Sequence, residues 1–377
     1  MRLNFVFISR NPYPEGLAST NRIRIFTEYL AKKYNVTKYI CSSNNAKNDI
    51  SGENKNVKWK FIRFSRIEYI FNLAKIYNII FNSHISDSKN ILMLYDGISL
   101  ANFWFALFAK IKGFKIITDI VEDYSYINEK QSFVLEMSQK FNTFFDRFID
   151  FFTDRIIVIS SRLYIKYYYK GINKKKLCII PISATNLDVK IPKKQNDKFT
   201  FIYSGSFGNK DGIKYMISAF EIVSKNNPNC RLFLSGKINN YTKDLISNKK
   251  NIYYKGMLPN KKFYNFLSSA DVLLMTRVKS KYADYGFPFK LGEYLATANP
   301  VITTDVSDVK NFLSDGVNAL IAKPSCRESL VEKMTFAINC DKSILNEIGN
   351  NGKIVCNKYF NPNTNGQKLA EFINKLF

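Results

Sequence analysis

Short apolar runs alternate with stretches of helical periodicity along the whole chain. The first run, Leu3–Ile8, predicts a strand, and apolar residues at Ile23, Phe26 and Leu30 with charges between them predict a helix over 22–34. Further strands are predicted at 36–42, 91–95, 114–119, 155–160, 177–181, 199–205, 231–236, 252–256, 271–275, 300–304 and 319–324. Regular alternation of strands and helices is typical of an α/β fold with doubly wound parallel sheets.

One interruption of this pattern predicts two domains. The segment 181–198 holds two prolines and several lysines with little apolar material, which is typical of a linker. We predict a Rossmann-like domain over 1–190, a second Rossmann-like domain over 198–360, and a C-terminal helix over 361–377. Because ligands of such sheets bind beyond the carboxyl ends of the strands, we expect a site in a cleft where the two sheets face each other.

Composition places the chain among globular proteins that need no disulfide or metal to hold a core. Of its 377 residues, 46% are hydrophobic and 23% are charged. Lys and Arg number 56 and Asp and Glu 31, so the net charge is +25. Such a charge attracts nucleic acid, phosphorylated small molecules or an anionic membrane, but solvated surface lysines explain it equally well. Six scattered cysteines and one histidine, His84, offer no zinc site and suit a reducing cytosol.

No segment approaches the roughly 18 apolar residues of a membrane-spanning helix, and the apolar start is too short for a signal peptide. The segment 102–114 is apolar but contains Lys110 and Lys112. It predicts either a helix packed on a sheet or an amphipathic helix at a membrane surface. We therefore expect a cytoplasmic protein, with the inner face of the cytoplasmic membrane as a candidate location.

The loop after the first strand is the first candidate for anion binding. Gly16 lies in it, just before a predicted helix that starts with small polar residues. A glycine lets the backbone approach a ligand closely, and the free N–H groups of a helix start attract phosphate. Arg10, Arg22 and Arg24 add positive charge nearby. An ordinary link between a strand and a helix explains the same residues.

A second glycine-rich loop follows the strand predicted at 199–205. It contains Gly205, Gly208 and Gly212, together with Lys210 to meet negative charge. The spacing is neither that of a dinucleotide fingerprint nor that of a P-loop. A phosphate-binding loop and a simple turn are both compatible with it.

The third loop runs from Gly286 to Pro288 and predicts a short helix that begins near Phe289. Lys290 and Glu293 then share one face at the helix start. A lysine there is poorly placed for the helix dipole unless an anion lies beside it. A glutamate can accept hydrogen bonds from the two vicinal hydroxyls of a ribose. A surface ion pair between the two side chains is the alternative.

Several segments resemble the group 1 (family 4) retaining glycosyltransferases of the GT-B fold, in the family's order and at its spacing. In the second half these segments are 204–220, 255–275, 286–305 and 315–324. In the first half they are 14–36, similar to the family's glycine loop and first helix, and 119–126 with 154–181, which resemble a bacterial polysaccharide subset.

The resemblance implies transfer of a sugar from a nucleotide-sugar donor to a hydroxyl acceptor, a lipid-linked or growing surface-polysaccharide glycan. It implies that the domain over 1–190 lies on the acceptor side, that the domain over 198–360 binds the donor, and that the helix over 361–377 packs back on the first domain. It implies that Lys290 contacts the donor diphosphate and Glu293 the ribose, and that Lys210 takes part in catalysis with them. The other donor contacts that it implies are Gly16, Ser206, Gly286, Phe287, Pro288 and Phe289.

The chain departs from the family pattern at two places. The family's first glutamate falls on Tyr285, and either Asp284 or the loop backbone is the candidate replacement, so Asp284 and Tyr285 are candidate donor contacts. A first-domain histidine that the family often has is missing. Asp119, Glu122 and Asp123 occupy this region, and Glu122 is our candidate catalytic contact to the acceptor; an acidic loop at a strand end is the alternative.

No two aspartates are spaced i, i+2, so we expect no metal and no other cofactor. Fixed cations and N–H groups can stabilise the leaving diphosphate instead. A nucleotide-sugar 2-epimerase of the same fold is the alternative enzyme. It needs acid–base residues in the cleft to move a proton at carbon, and His84, the single histidine, is predicted in a polar loop that does not suit this role. A nucleic-acid-binding protein is a remote alternative, because basicity and aromatics suit it but no binding motif is present. We therefore expect no nucleic-acid partner.

Overall fold

The computed structural model describes residues 2–42, 50–64, 72–100, 102–123, 133–187 and 197–377. The chain divides into two compact units. Unit 1 comprises Met1–Pro181 and Pro362–Phe377, and unit 2 comprises Ile182–Asn361. The division falls at the start of the predicted linker, of which 188–196 lies outside the described residues.

Unit 1 is built on an eight-stranded sheet. Its strands are β1 (Leu3–Ser9), β2 (Asn35–Ser42), β3 (Ser51–Asn54), β4 (Val57–Arg63), β5 (Lys89–Tyr95), β6 (Lys115–Ile120), β7 (Arg155–Val158) and β8 (Leu177–Ile179). The strand order is β3-β4-β2-β1-β5-β6-β7-β8. The neighbouring strands pair in parallel, apart from β3, which pairs antiparallel with β4. The order reverses at β1, whose carboxyl end leads into the loop that holds Gly16.

Helices connect these strands. They are α1 (Ala18–Ala31), α2 (Leu73–Ser83), α3 (Phe103–Ile111), α4 (Phe133–Phe145), α5 (Ile149–Phe152) and α6 (Ser161–Tyr169). The periodicity that predicted α1 buries Ile23, Phe26 and Leu30. Helix α3 packs one side against the unit and buries Phe105, Ala106 and Ala109 there.

Unit 2 has a six-stranded parallel sheet. Its strands are β9 (Phe199–Gly205), β10 (Cys230–Gly236), β11 (Ile252–Tyr254), β12 (Val272–Met275), β13 (Val301–Thr304) and β14 (Leu320–Ala322). They are ordered β11-β10-β9-β12-β13-β14, and the order reverses between β9 and β12. The carboxyl ends of β9 and β12 therefore lie side by side at the point where such sheets bind ligands.

The helices of unit 2 follow its strands in the same alternating manner. They are α7 (Ile213–Asn226), α8 (Asn240–Ile246), α9 (Asn260–Ser268), α10 (Lys281–Tyr285), α11 (Phe289–Ala296), α12 (Val309–Phe312), α13 (Arg327–Asn339) and α14 (Lys342–Tyr359). Helix α11 begins at Phe289, where the sequence predicts it, since Pro288 provides the extended residue before the first turn.

The last helix, α15 (Pro362–Asn374), returns to unit 1 and packs on α1. Gly366 makes this contact possible, because a Cβ atom there would lie 2.3 Å from the ring of Tyr29. Within the described ranges, no helix is both long and apolar enough to cross a bilayer.

Candidate active site

The loop after β9 is fastened to the end of β12 by contacts that involve its backbone. Thr276 donates its hydroxyl to the carbonyl oxygen of Asp211 at 2.9 Å, and the N–H of Val278 donates to the carbonyl oxygen of Lys210 at 3.0 Å. Gly212 has a φ of 66°, and a Cβ atom there would lie 1.8 Å from the carbonyl oxygen of Thr276. Glycine at this position therefore allows the two segments to approach.

Lys290, in the first turn of α11, is paired with a buried carboxylate. Its Nζ lies 2.8 Å from Asp211 Oδ1 and donates to the hydroxyl of Tyr203 at 2.9 Å. Burial by itself would raise the pKa of Asp211, but Lys290 and Arg277 outweigh it, with hydrogen bonds from Lys290 and Ser206, and the pKa is lowered. Burial also lowers the pKa of Lys290, against the pull of Asp211. The carboxylate of Asp211 is thus the anion beside Lys290 in this structure.

Glu293 lies one turn further along α11 and has different partners. Its Oε1 accepts hydrogen bonds from the backbone N–H of Thr185 at 3.0 Å and from the hydroxyl of Thr185 at 2.8 Å. Its Oε2 accepts from the hydroxyl of Tyr264. Lys290 and Glu293 therefore do not form the surface ion pair that their spacing offers as an alternative, because each is held by residues of other elements.

Arg277 is a site residue that the sequence analysis missed. It lies just beyond the end of β12, is only 5% exposed, and its Nε has no hydrogen-bond partner among the described residues. Its charge acts on the pKa values of both Asp211 and Lys290, which places it in the same electrostatic environment. The available signal was a charged residue directly after the apolar run that forms β12.

Lys210 completes the group of cations. Its Nζ lies 3.4 Å from the hydroxyl of Tyr282 and 4.5 Å from the centre of that ring, and its charge contributes to the lowered pKa of Lys290. We call Lys210, Arg277 and Lys290, with the carboxylate of Asp211, the cation cluster. It holds three positive charges and one negative charge at the carboxyl ends of β9 and β12.

The glycine-rich loop supplies backbone to this cluster. Ser206 is exposed and donates its hydroxyl to Asp211 Oδ2 at 3.0 Å, and the N–H of Gly208 donates to the same oxygen at 3.2 Å. A Cβ atom at Gly205 would lie 2.5 Å from the Nζ of Lys290. Because Gly205 has no side chain, the loop can pass close to the cluster.

The residues before α11 divide into buried and accessible groups. Asp284 is buried, and its carboxylate accepts from Lys279 at 3.0 Å and from the N–H of Ser307 at 3.1 Å, so it holds the turn after β13. Phe287 packs its ring against those of Phe312 and Phe360 in the core. Tyr285 and Phe289 are half-buried, whereas Gly286 and Pro288 are buried.

In unit 1, Gly16 is exposed in the loop before α1, and a Cβ atom there would lie 2.3 Å from Thr20 Oγ1. The sequence suggests that Arg22 supplies positive charge for a phosphate, but in the structure this side chain is already paired. Its Nε and one terminal nitrogen donate to the two carboxylate oxygens of Asp119 at 2.7 and 2.9 Å. Its guanidinium also donates to the carbonyl oxygens of Ile180 and Pro181. Arg22 is therefore a buried structural residue.

In the acidic segment after β6, two of the three carboxylates are paired with basic side chains. Asp119 is paired with Arg22, and Asp123 is buried with Lys166 at 2.6 Å. Glu122 lies between them in the sequence and is half-buried.

His84, considered for epimerase chemistry, places its ring edge-to-face against Phe114 at 5.7 Å. In the part of the chain that the structure describes, no group of three or more His, Cys, Asp or Glu side chains could hold a metal ion.

Comparisons with solved structures identify the fold. Sucrose-phosphate synthase from Thermosynechococcus elongatus is similar over 100% of this chain and 99% of its own, at 16% identity and a TM-score of 0.78. The Anabaena protein HepE in complex with UDP-glucose is similar over 99% of this chain and 100% of its own, at 13% identity and a TM-score of 0.75. A glycosyltransferase from Rickettsia africae covers 100% of this chain and 98% of its own, at 14% identity and a TM-score of 0.73.

The fold is therefore GT-B, the two-domain α/β architecture that the sequence predicts. Residues 185–355, which form most of unit 2, match the family described as Glycosyl transferases group 1. This segment of unit 2 is therefore a group 1 glycosyltransferase domain. A search of curated proteins found no match by sequence.

Proposed function

We propose that this glycosyltransferase moves a sugar, with retention of anomeric configuration and without a metal ion, from a nucleotide-sugar donor to a hydroxyl acceptor. The acceptor is a lipid-linked or growing surface-polysaccharide glycan. The cation cluster is the main support. Its net positive charge is partly shielded from water, where attraction to an anion is stronger than in bulk solvent. A similar fold in HepE binds UDP-glucose, whose diphosphate is such an anion.

The cluster suits the charge that develops during glycosyl transfer. The leaving nucleoside diphosphate gains negative charge as the sugar becomes oxocarbenium-like, and donors that are already fixed stabilise it without reorganising. Lys290 is held by Asp211 and Tyr203. Arg277 has a buried N–H without a partner among the described residues. One such donor typically contributes about 3 kcal/mol to transition-state stabilisation.

The remaining donor contacts are assigned around this centre. Glu293 holds the ribose, with its carboxylate oriented by Thr185 and Tyr264. Ser206 and the backbone of 286–289 meet the diphosphate and the sugar hydroxyls. Asp284 acts through the turn that it holds, and Tyr285 lies at the position of the family's first glutamate.

Residues of unit 1 serve the acceptor. Glu122 follows β6, is half-buried, and is assigned the contact to the acceptor hydroxyl as the family resemblance implies. The loop at Gly16 is assigned to donor binding, as the family resemblance implies. A net charge of +25 suits work on an acceptor carried by an anionic membrane at its cytoplasmic face.

The test begins with UDP, GDP and ADP in thermal unfolding of the full chain. A bound diphosphate stabilises by about 2.7 kcal/mol at a hundredfold its dissociation constant. The nucleotide that stabilises most is then titrated by calorimetry against Arg277→Gln and Lys210→Gln. We expect a loss of about 10- to 100-fold in affinity for each, since a hydrogen bond to a charged group is worth about 1.5–3 kcal/mol.

Lys214→Gln is the matched control, because Lys214 is an exposed lysine at the start of α7. If no nucleotide stabilises the protein, or if both cluster variants bind as tightly as this control, the assignment is wrong. Once the donor is known, the anomeric coupling of the product in NMR reports retention. Transfer that persists in a chelator supports the absence of a metal.

A further inference from the structure

Unit 1 carries a set of exposed apolar side chains on the helices α2 to α5 and the turn between α4 and α5. We call these residues the aromatic surface, and each is at least 42% exposed. They are Tyr77, Phe81, Ile111, Phe144, Phe148 and Phe151. Single exposed apolar residues are ordinary, but a contiguous set marks an interaction site.

Ring contacts join these helices into one layer. Tyr77 stacks on Phe81 at 5.5 Å and meets Phe108 of α3 edge-on at 5.6 Å. From α3, Phe103 contacts Phe145 of α4 at 4.9 Å. The exposed rings therefore project from one continuous aromatic layer rather than from isolated positions.

The elements of this surface contain the acidic residues Glu136, Asp146 and Asp150, but the charges that lie over its rings are positive. Lys112 places its Nζ 4.1 Å from the ring centre of Phe81, and Lys110 places its Nζ 4.2 Å from that of Phe151. The sequences of α2 and α3 contain no acidic residue. Nearby, Asp146 and Asp150 are paired with lysines of neighbouring segments. Among the described residues, no ion pair joins a carboxylate to Lys110 or Lys112.

We propose that the aromatic surface is a docking face for an anionic lipid bilayer. Rings and aliphatic side chains enter the boundary between headgroups and acyl chains, while lysines next to them reach the lipid phosphates. This inference rests on the proposed function in one respect, since a lipid-linked acceptor would be presented at such a bilayer.

A second copy of the chain is the other occupant to consider, and the charges disfavour it. A two-fold contact brings the same patch of both copies together. Lys110 and Lys112 of each copy would then approach those of the other, and no carboxylate of α2 or α3 would offset the repulsion. An anionic surface turns the same lysines into favourable contacts.

The test is flotation of the full chain with two kinds of vesicle, phosphatidylcholine alone and phosphatidylcholine mixed with phosphatidylglycerol. We expect flotation with the mixed vesicles that weakens at high salt. The double variant Ile111→Ser/Phe151→Ser should partition onto the mixed vesicles at least about tenfold less, because both positions lose most of the apolar area that would enter the bilayer. Lys110→Gln and Lys112→Gln should each reduce it by about fivefold.

Tyr241→Ser and Lys243→Gln are the matched controls, since both residues are exposed on α8 of unit 2, and they should float like the wild type. The docking face is refuted if the wild type does not float with the mixed vesicles, or if the Ile111/Phe151 variant floats as well as the controls. It is also refuted if sedimentation velocity shows a dimer that this variant dissociates.

Nucleotide binding separates this inference from the proposed function. All surface variants should bind the donor nucleotide with unchanged affinity, because the substituted residues lie in unit 1, whereas the cation cluster lies in unit 2. Flotation without nucleotide binding would refute the proposed function alone. Nucleotide binding without flotation would refute the docking face alone.

Discussion

Asp119 in unit 1 and Asp211 in unit 2 are both buried carboxylates that accept from a basic side chain, and their surroundings differ. Asp119 meets one cation, Arg22, through two hydrogen bonds, and the remaining donors of that guanidinium reach backbone carbonyl oxygens. The charges balance, and each of the three guanidinium nitrogens of Arg22 donates at least one hydrogen bond. Nothing in this pair calls for a ligand.

Asp211 meets one cation directly and lies in the field of a second. These two cations, Lys290 and Arg277, exceed the single negative charge of Asp211, and a buried N–H of Arg277 has no described partner. A structural pair is complete in the folded chain, whereas a binding site leaves charge and donors for its ligand. The same residue types thus serve stability in one unit and binding in the other.

The largest expected effect is at the balanced pair. Arg22→Met leaves the carboxylate of Asp119 buried without its cation, and we expect a loss of about 3–5 kcal/mol in the free energy of unfolding. The double variant Arg22→Met/Asp119→Leu should recover much of this loss. Urea unfolding measures both, and Arg277→Gln should change stability far less. If Arg22→Met stays within about 1 kcal/mol of the wild type, the pair is not the anchor that its geometry indicates.

Lys38 of unit 1 is a third case, a buried cation that has no carboxylate partner among the described residues. Lys38 is fully buried, its Nζ lies 2.6 Å from Ser9 Oγ, and burial lowers its pKa from 10.5 to about 7. Because the pKa is lower in the folded state, the unfolded chain binds the extra proton between these values. Stability therefore rises with pH from about 7 to 10.5 and levels off below that window.

Lys38→Met should remove this dependence, which amounts to about 1.4 kcal/mol per pH unit, and should be more stable than the wild type near neutral pH. Urea unfolding at about pH 7.5 and about pH 9 measures the two slopes. Equal slopes in both proteins would mean that Lys38 is not the group responsible.

The smallest effect concerns Glu293, a carboxylate held by hydroxyls and an N–H rather than by a cation. Tyr264→Phe removes one of these donors, and we expect it to cost about 1 kcal/mol of stability. Nucleotide affinity should fall by less than tenfold, because Thr185 still orients the other oxygen. Calorimetry with the nucleotide found above measures this, and a loss as large as that in Arg277→Gln would place Tyr264 in direct contact with the ligand.

Strong local patterns made much of the fold predictable. The strand at 199–205 and the start of α11 at Phe289 agree with the structure because an apolar run and a proline define them. The hairpin of β3 and β4 was not predicted. Its strands carry Lys58 and Lys60 among exposed positions near the sheet edge, where burial imposes little pattern.

The sequence singles out several residues of the candidate site but not the contacts that they make in the fold. Lys290, Glu293 and Lys210 belong to recognisable segments. The pairing of Lys290 with Asp211 joins residues 79 positions apart, and that of Glu293 with Thr185 joins residues 108 apart. Such contacts depend on how neighbouring strands end beside one another, and periodicity contains no information about that.

The return of α15 to unit 1 has a consequence for biosynthesis. Unit 2 is one continuous stretch, whereas unit 1 needs both Met1–Pro181 and Pro362–Phe377. On the ribosome, unit 2 can finish folding while α1 still lacks the helix that covers it, although synthesis began with unit 1. Unit 1 can therefore complete its packing only after the whole of unit 2 has been synthesised.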